Sequence, residues 1–215
     1  MRVSVTHIDQ YIYYKNTEEM TLDDLIERLR PTSEPTEPMK IGTAFHTILE
    51  TMEGELDEVE QDGYKFKFDL DAEITIPKIQ EIKAEKQYGS TTVVGKVDAI
   101  GGLMVDDHKT TSQFKVENYA DSYQWRLYLD IFGANVFRYN IFSRRENKDG
   151  VQVIRALDVL PLHRYPLLEI DVNAMVAEYA LFADIHNIYG KATARPQSAP
   201  ASGAVPNISL NNPPF

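Results

Sequence analysis

In LMVDDHKTT, residues 103–111, a carboxylate and an amine stand two positions apart. Alternate residues of a strand share a face, so Leu103, Val105, Asp107 and Lys109 lie on one side and Met104, Asp106 and His108 on the other. Asp107 and Lys109 are therefore neighbours. The preceding stretch TTVVGKVDAI puts Val94, Lys96 and Asp98 on one face, and the Gly101-Gly102 pair reads as the turn of a tight hairpin. Such a hairpin brings Asp98 toward the Asp107 and Lys109 pair across the ladder. Two carboxylates so placed can share one hard cation; magnesium takes oxygen ligands and keeps waters, leaving room for a phosphate and an attacking water. A lysine beside that water can orient it, help it lose a proton and steady charge on the phosphorus centre. The same Asp-x-Lys spacing also describes a solvated strand face with a cross-strand ion pair.

Other residues could serve the same chemistry. In KIGTAFHTILETM, Phe45, Ile48, Leu49 and Met52 form an apolar stripe, while Gly42, His46 and Glu50 make a polar row four residues apart. A helix histidine of this kind is either a partly buried polar residue or a metal ligand. Gln124 and Tyr128, also four apart, present an amide and a phenol on one helix face, or a core-facing tyrosine beside an incidental glutamine. Lys115, Arg126, Arg144 and Arg145 are candidate phosphate contacts, although most surface arginines are only solvated.

The elements that must position these groups can be read from periodicity. VSVTHIDQYIYY sets Val5, Ile8, Tyr11 and Ile12 at helical spacing behind Ser4 or Thr6 as a cap, and TLDDLIERL begins a second helix at Thr21. PTSEPTEP, residues 31–38, reads as a loop before the His46 helix. YKFKFDL, EIKAEKQY, TTVVGKVDAI and LMVDDHKTT have the texture of strands. Residues 116–133 are expected to form one helix packed on the sheet, with Tyr119, Tyr123, Leu127 and Asp130 in register and Gly133 closing it. A hairpin follows in VFRYNIFSRR and VQVIRALDVLPL, then a helix over about 169–189 carrying Ile170, Met175, Ala177 and Ala180. Residues 1–195 are expected to be one α/β domain. The segment 196–215, rich in Pro, Ser, Asn and Ala, is expected to be a flexible or extended tail.

Composition narrows the classes. With 215 residues the chain supports one well-packed domain, and no apolar run approaches the length of a membrane helix. MRVSVTHIDQ has no secretory pattern, so a cytoplasmic location is expected. The chain contains no cysteine, which excludes disulfides, thiolate zinc sites and cysteine-ligated iron-sulfur clusters. A formal charge of −11 argues against coating nucleic acid by bulk electrostatics, but a carboxylate cluster for divalent cations is itself acidic.

Taken together, four motifs in order resemble the RecB-like nucleases of the PD-(D/E)XK superfamily. IGTAFHTILE is similar to their Gly-x-x-x-His helix, GKVDAI to their Gly-x-x-Asp strand, VDDHKTT to their Asp-x-Lys-Thr strand and QWRLY to their Gln-x-x-x-Tyr helix. The opening SVTHIDQYIYY is similar to the family's N-terminal helix, so the resemblance spans about residues 3–130. It implies a restriction-endonuclease-like core, a central mixed sheet flanked by helices. It implies His46, Asp98 and Asp107 as metal ligands with the backbone carbonyl of His108, Lys109 as the catalytic lysine, and Gln124 and Tyr128 beside the site and touching DNA. Glu85 matches a position where some relatives carry an additional acid; a surface glutamate in a Lys-rich stretch has the same pattern.

The implied activity is a Mg2+-dependent deoxyribonuclease, with Mn2+ as a substitute, acting on DNA ends to leave 5′-phosphates in recombination, repair or phage replication. Its plan is that of standalone phage or prophage recombination exonucleases. The alternative keeps the fold as a catalytically inactive DNA-binding or assembly subunit. Candidate partners are DNA, a single-strand annealing or single-stranded-DNA-binding protein, and further copies in a homo-oligomer, with no membrane. A different class of function, an acidic interaction protein, would use the terminal NNPPF as a docking peptide, since a free terminal aromatic carboxylate can be captured by a basic, apolar pocket.

Overall fold

The Val/Ile/Phe/Tyr-rich runs pair into one eight-stranded mixed sheet in a computed structural model that describes residues 1–30, 34–51, 57–70 and 79–190. The strands are β1 (Arg2–Ser4), β2 (Glu58–Gln61), β3 (Tyr64–Phe68), β4 (Ile79–Tyr88), β5 (Thr91–Gly101), β6 (Met104–Thr111), β7 (Val136–Glu146) and β8 (Gln152–His163). Their order is β1-β5-β6-β7-β8-β3-β2, with β4 also pairing with β5. β1 runs parallel to β5, β6 to β7 and β3 to β8; the remaining pairs are antiparallel. Helices flank this sheet, so the architecture is the α/β arrangement that the resemblance implies.

The helices are α1 (Val5–Asn16), α2 (Leu22–Leu29), α3 (Glu37–Thr51), α4 (Val116–Ala120), α5 (Gln124–Ile131) and α6 (Leu168–Ile185). Ser4 caps α1 by accepting the His7 N–H, and Thr21 and Asp24 form a reciprocal capping box on α2. α3 starts inside the expected 31–38 loop, because Pro38 fits a first helical turn, where no N–H is needed. One core joins α1, α2, α5 and α6 to Val93, Val97, Val105, Phe137, Tyr139 and Ile141 of the sheet. A second joins Ile41, Ala44, Phe45, Ile48 and Leu49 of α3 to Phe66, Phe142 and Ile154. Each large side chain fully buried here contributes about 1.5–3 kcal/mol.

Three further features were not evident from periodicity. β1 and β2 are too short for a periodicity signal, and β1 forms because its backbone finds an edge on β5 from Thr92 to Val94. The single helix expected over 116–133 is two, α4 and α5, broken at residues 121–123 where Asp9 of α1 takes up the N–H groups of Tyr123 and Gln124. On α6 Met175 is buried but Ile170 is 66% exposed, because the face toward the sheet is carried by Val172, Met175, Val176 and Tyr179. No described helix is long and apolar enough to cross a membrane. The 196–215 tail, with NNPPF, and Met52 lie outside the described residues.

Candidate active site

β5 and β6 pair only beside their turn, from Ala99 opposite Asp106 to Gly101 opposite Met104. Beyond Ala99 the strands part, because β6 continues alongside β7 as far as Thr111 while β5 stays with β4. Asp98 sits where they separate. Its Oδ2 accepts the His108 backbone N–H at 2.6 Å, replacing a ladder bond, and its Oδ1 lies 3.4 Å from His46 Nδ1. On β6, Asp107 is 3% exposed, with Lys109 Nζ 2.8 Å from its Oδ2 and Gln124 Nε2 donating to its Oδ1 at 3.1 Å. Asp107 Oδ2 is buried, and the partner it has there is the Lys109 ammonium. Thus His46, Asp98, Asp107, Lys109 and Gln124 come together from α3, β5, β6 and α5.

α5 is fixed against the sheet through Asp130 and Tyr128. Buried Asp130 accepts Lys86 Nζ at 2.9 Å and the Tyr88 hydroxyl at 2.6 Å, which docks the helix on β4. The Tyr128 ring lies over Gly95, where an added Cβ would stand 2.8 Å from its Cε1, and its hydroxyl donates to the Lys96 carbonyl at 2.8 Å. Gly95 is thus required by close approach of the helix.

The two carboxylates differ. Burial works against ionisation of Asp98, but the His46 hydrogen bond, the charges of His46 and Lys109 and the His108 N–H outweigh it and hold its pKa at about 2. Burial dominates at Asp107 and, with repulsion from Asp98, lifts its pKa to about 6 against the opposing pull of Lys109. Burial disfavours the Lys109 cation, yet the Asp107 and Asp98 charges prevail and raise its pKa above the usual lysine value. His46 is likewise raised, desolvation being overcome by Asp98.

A groove of about 500 Å3 opens beside this set, lined by His46, Glu50, Glu81, Lys96, Lys109 and Thr110 among others. Glu81, which forms an ion pair with Lys96, is the β4 carboxylate at this groove. Glu85 is not: it is exposed and pairs with Arg2 at 3.2 Å. β4 pairs Ile82 with Val97 and Glu85 with Val94, so the acid nearest the level of Asp98 is Glu81. EIKAEKQY contains both acids, and only the register separates them.

The remaining candidates divide. The His108 ring is 4% exposed, packs edge-on against Phe142 and near His46, and neither ring nitrogen has a partner. It is the His108 N–H that meets Asp98. Tyr128 is 4% exposed: its ring packs in the core over Gly95, while its side chain stays in hydrogen-bond contact with Gln124 and close to Asp107 and Lys109. Arg126 donates to the Asp121 and Ser122 carbonyls and stacks on Tyr123 and Trp125. Arg144 binds Gln152, Arg145 is exposed at the far end of β7, and Lys115 borders a separate groove between α1 and α4. Glu81, and Asp9 within SVTHIDQYIYY, were not singled out by the motifs.

The donor types suit a hard divalent cation: the Asp98 and Asp107 carboxylates and the His46 imidazole. Among the described residues no three His, Asp or Glu side chains already converge as a cluster; the acids stand in two pairs, His46–Asp98 and Lys109–Asp107.

No family model and no curated protein matches the chain. Solved structures do. The chain is similar in structure to an alkaline exonuclease. That protein, LHK-Exo from Laribacter hongkongensis, superposes with a TM-score of 0.47 at 13% identity, over 87% of this chain and 90% of its own. Its complex with dAMP gives 0.46 at 13% identity over the same shares. The protein crystallised as SSO0001 gives 0.48 at 14% identity, over 84% of this chain and 76% of its own. These likenesses concern the path of the backbone; the chemistry lies in the side chains described above.

Proposed function

We propose that this chain is a RecB-like, divalent-metal-dependent deoxyribonuclease that hydrolyses phosphodiesters from DNA ends, leaving 5′-phosphates, in recombination, repair or phage replication. The observation that carries this reading is the pair of carboxylates at the parting of β5 and β6, Asp98 with His46 and Asp107 with Lys109, beside an open groove. His46, Asp98, Asp107 and the backbone carbonyl of His108 would hold Mg2+ or Mn2+, which when bound would neutralise charge at the scissile phosphate.

The chain's own groups do the rest. Lys109, beside its two carboxylate neighbours, donates to the attacking water and stabilises negative charge gathering on the phosphate oxygens. The water oxygen bonds to phosphorus and its proton passes to solvent, while the P–O3′ bond breaks and the departing 3′ oxygen takes a proton from solvent to leave as a hydroxyl. Gln124 holds Asp107 Oδ1, and His46 and the His108 N–H hold Asp98, so both acids enter the reaction already oriented. Lys96 and Lys109 give the groove its positive groups for a DNA strand, and Lys115 and Arg145 are exposed cations for flanking phosphates. A single-strand annealing or single-stranded-DNA-binding protein is the partner class that would take up the strand left by such an enzyme.

The test is cleavage of end-labelled linear and closed circular DNA with Mg2+, Mn2+ or EDTA, for the wild type, Asp107→Ala and Lys109→Ala. Loss of linear DNA alone, abolished by EDTA and by each substitution, is expected. Cutting of circles would make it an endonuclease. Folded protein that cleaves nothing in any metal would replace the enzyme with a DNA-binding or assembly subunit.

A further inference from the structure

Asp9 lies on α1, more than a hundred residues before α5, yet its Oδ1 accepts three hydrogen bonds at the start of α5: from Ser122 Oγ at 2.7 Å, Tyr123 N at 2.9 Å and Gln124 N at 3.1 Å. These N–H groups are ones that no carbonyl within the helix can satisfy, and α5 has no capping side chain of its own at Tyr123. Ser122 Oγ also accepts the Gln124 N–H at 3.1 Å, so the carboxylate and the hydroxyl it holds together fix where α5 begins and how its first residue is oriented. That first residue is Gln124. Its Oε1 accepts from the Tyr139 hydroxyl at 3.4 Å, and Tyr139 in turn lies 3.3 Å from Ser122 Oγ, so the amide is held on both sides. An ionised carboxylate only accepts, which turns Nε2 toward Asp107 Oδ1 at 3.1 Å and leaves Oδ2 to face the Lys109 ammonium at 2.8 Å, the side on which a cation would bind.

We propose that Asp9 is a positioning residue of the site: it acts through the first turn of α5 on Gln124, and Gln124 orients the Asp107 carboxylate toward the cation. The proposal rests on the metal-site reading given above. Groups that hold a ligand from behind commonly change metal affinity by about 10- to 100-fold when removed. A cap that only stabilised α5 would change the melting temperature and leave metal affinity to Gln124 alone.

The experiment is a double-mutant cycle read by calorimetric titration with Mn2+ in the absence of DNA, using Asp9→Ala, Gln124→Ala, the double variant and Asp9→Asn. Each alanine variant is expected to weaken Mn2+ binding about 10-fold. The double variant is expected to be no worse than Gln124→Ala by more than about twofold, since both changes break one chain of contacts. Asp9→Asn, which keeps an accepting oxygen, should stay within about threefold of wild type. If melting shows Asp9→Ala unfolded, Ser122→Ala takes its place in the cycle. Independent losses that multiply to about 100-fold, or unchanged affinity in Asp9→Ala, overturn the relay. Cleavage assays on the same proteins separate the two claims: a wild type that binds Mn2+ with the non-additive pattern but cuts no DNA removes the nuclease and keeps the relay, whereas a wild type that binds no Mn2+ removes both.

Discussion

The Asp98 carboxylate accepts the His108 backbone N–H at 2.6 Å, at the point where β5 leaves β6. A carboxylate takes the place of a strand there, and the same group is held by His46 on its other oxygen. Asp98→Ala leaves a buried N–H unpaired and should cost about 1–3 kcal/mol, while Asp98→Asn, which can still accept, should cost less. The pKa of Asp98 is lowered to about 2, so its stabilisation is full above the ordinary carboxylate range and is lost as pH falls from about 4 toward 2. Chemical denaturation of the three proteins at pH 7 and pH 2.5 measures both; an alanine variant as stable as wild type at pH 7 would contradict this account.

Asp107 has the opposite sign. Its pKa is raised to about 6, so the folded state holds a proton that the unfolded chain has released, and stability falls as pH rises from about 4 through 6. Asp107→Asn should therefore abolish cleavage and yet stabilise the metal-free protein at pH 8, by on the order of 1–3 kcal/mol, with no gain below about pH 4. Thermal melts in EDTA across that range read it.

The same shift bears on metal use. Below about pH 6 a proton competes with the cation for Asp107, so the Mg2+ concentration for half-maximal cleavage should climb as pH drops from 8 to 5. A half-saturation concentration independent of pH would mean that Asp107 does not bind the ion.

Gly95→Ala should destabilise by about 1–3 kcal/mol, because the new methyl group meets the Tyr128 ring at 2.8 Å. Truncating the ring in Gly95→Ala/Tyr128→Leu should recover part of that loss, which urea unfolding of the single and double variants can measure.

Glu81 and Glu85 provide a paired test of the register. Glu85→Gln should leave cleavage within about twofold of wild type, since its carboxylate only meets Arg2 in an exposed ion pair. Glu81→Gln, at the groove beside Lys96, should alter the Mg2+ dependence. Side-by-side metal titrations decide between them, and equal behaviour would undo the assignment of Glu81 to the site.

The sequence by itself determined the pieces whose signal is local. The alternation in LMVDDHKTT put Asp107 and Lys109 on one face, the Gly101-Gly102 turn brought Asp98 close, and the row through His46 followed from helical spacing; the structure brings all four together. Tertiary structure decided what depends on partners distant in the chain. Glu81 rather than Glu85 faces the groove because of the β4–β5 register, and the break between α4 and α5 follows from Asp9, more than a hundred residues earlier. Tyr128 went into the core because Gly95 offers a surface without a side chain. Periodicity reports which face a residue takes within its own element, whereas pairing register and capping across elements are set by contacts that no window of neighbouring residues contains.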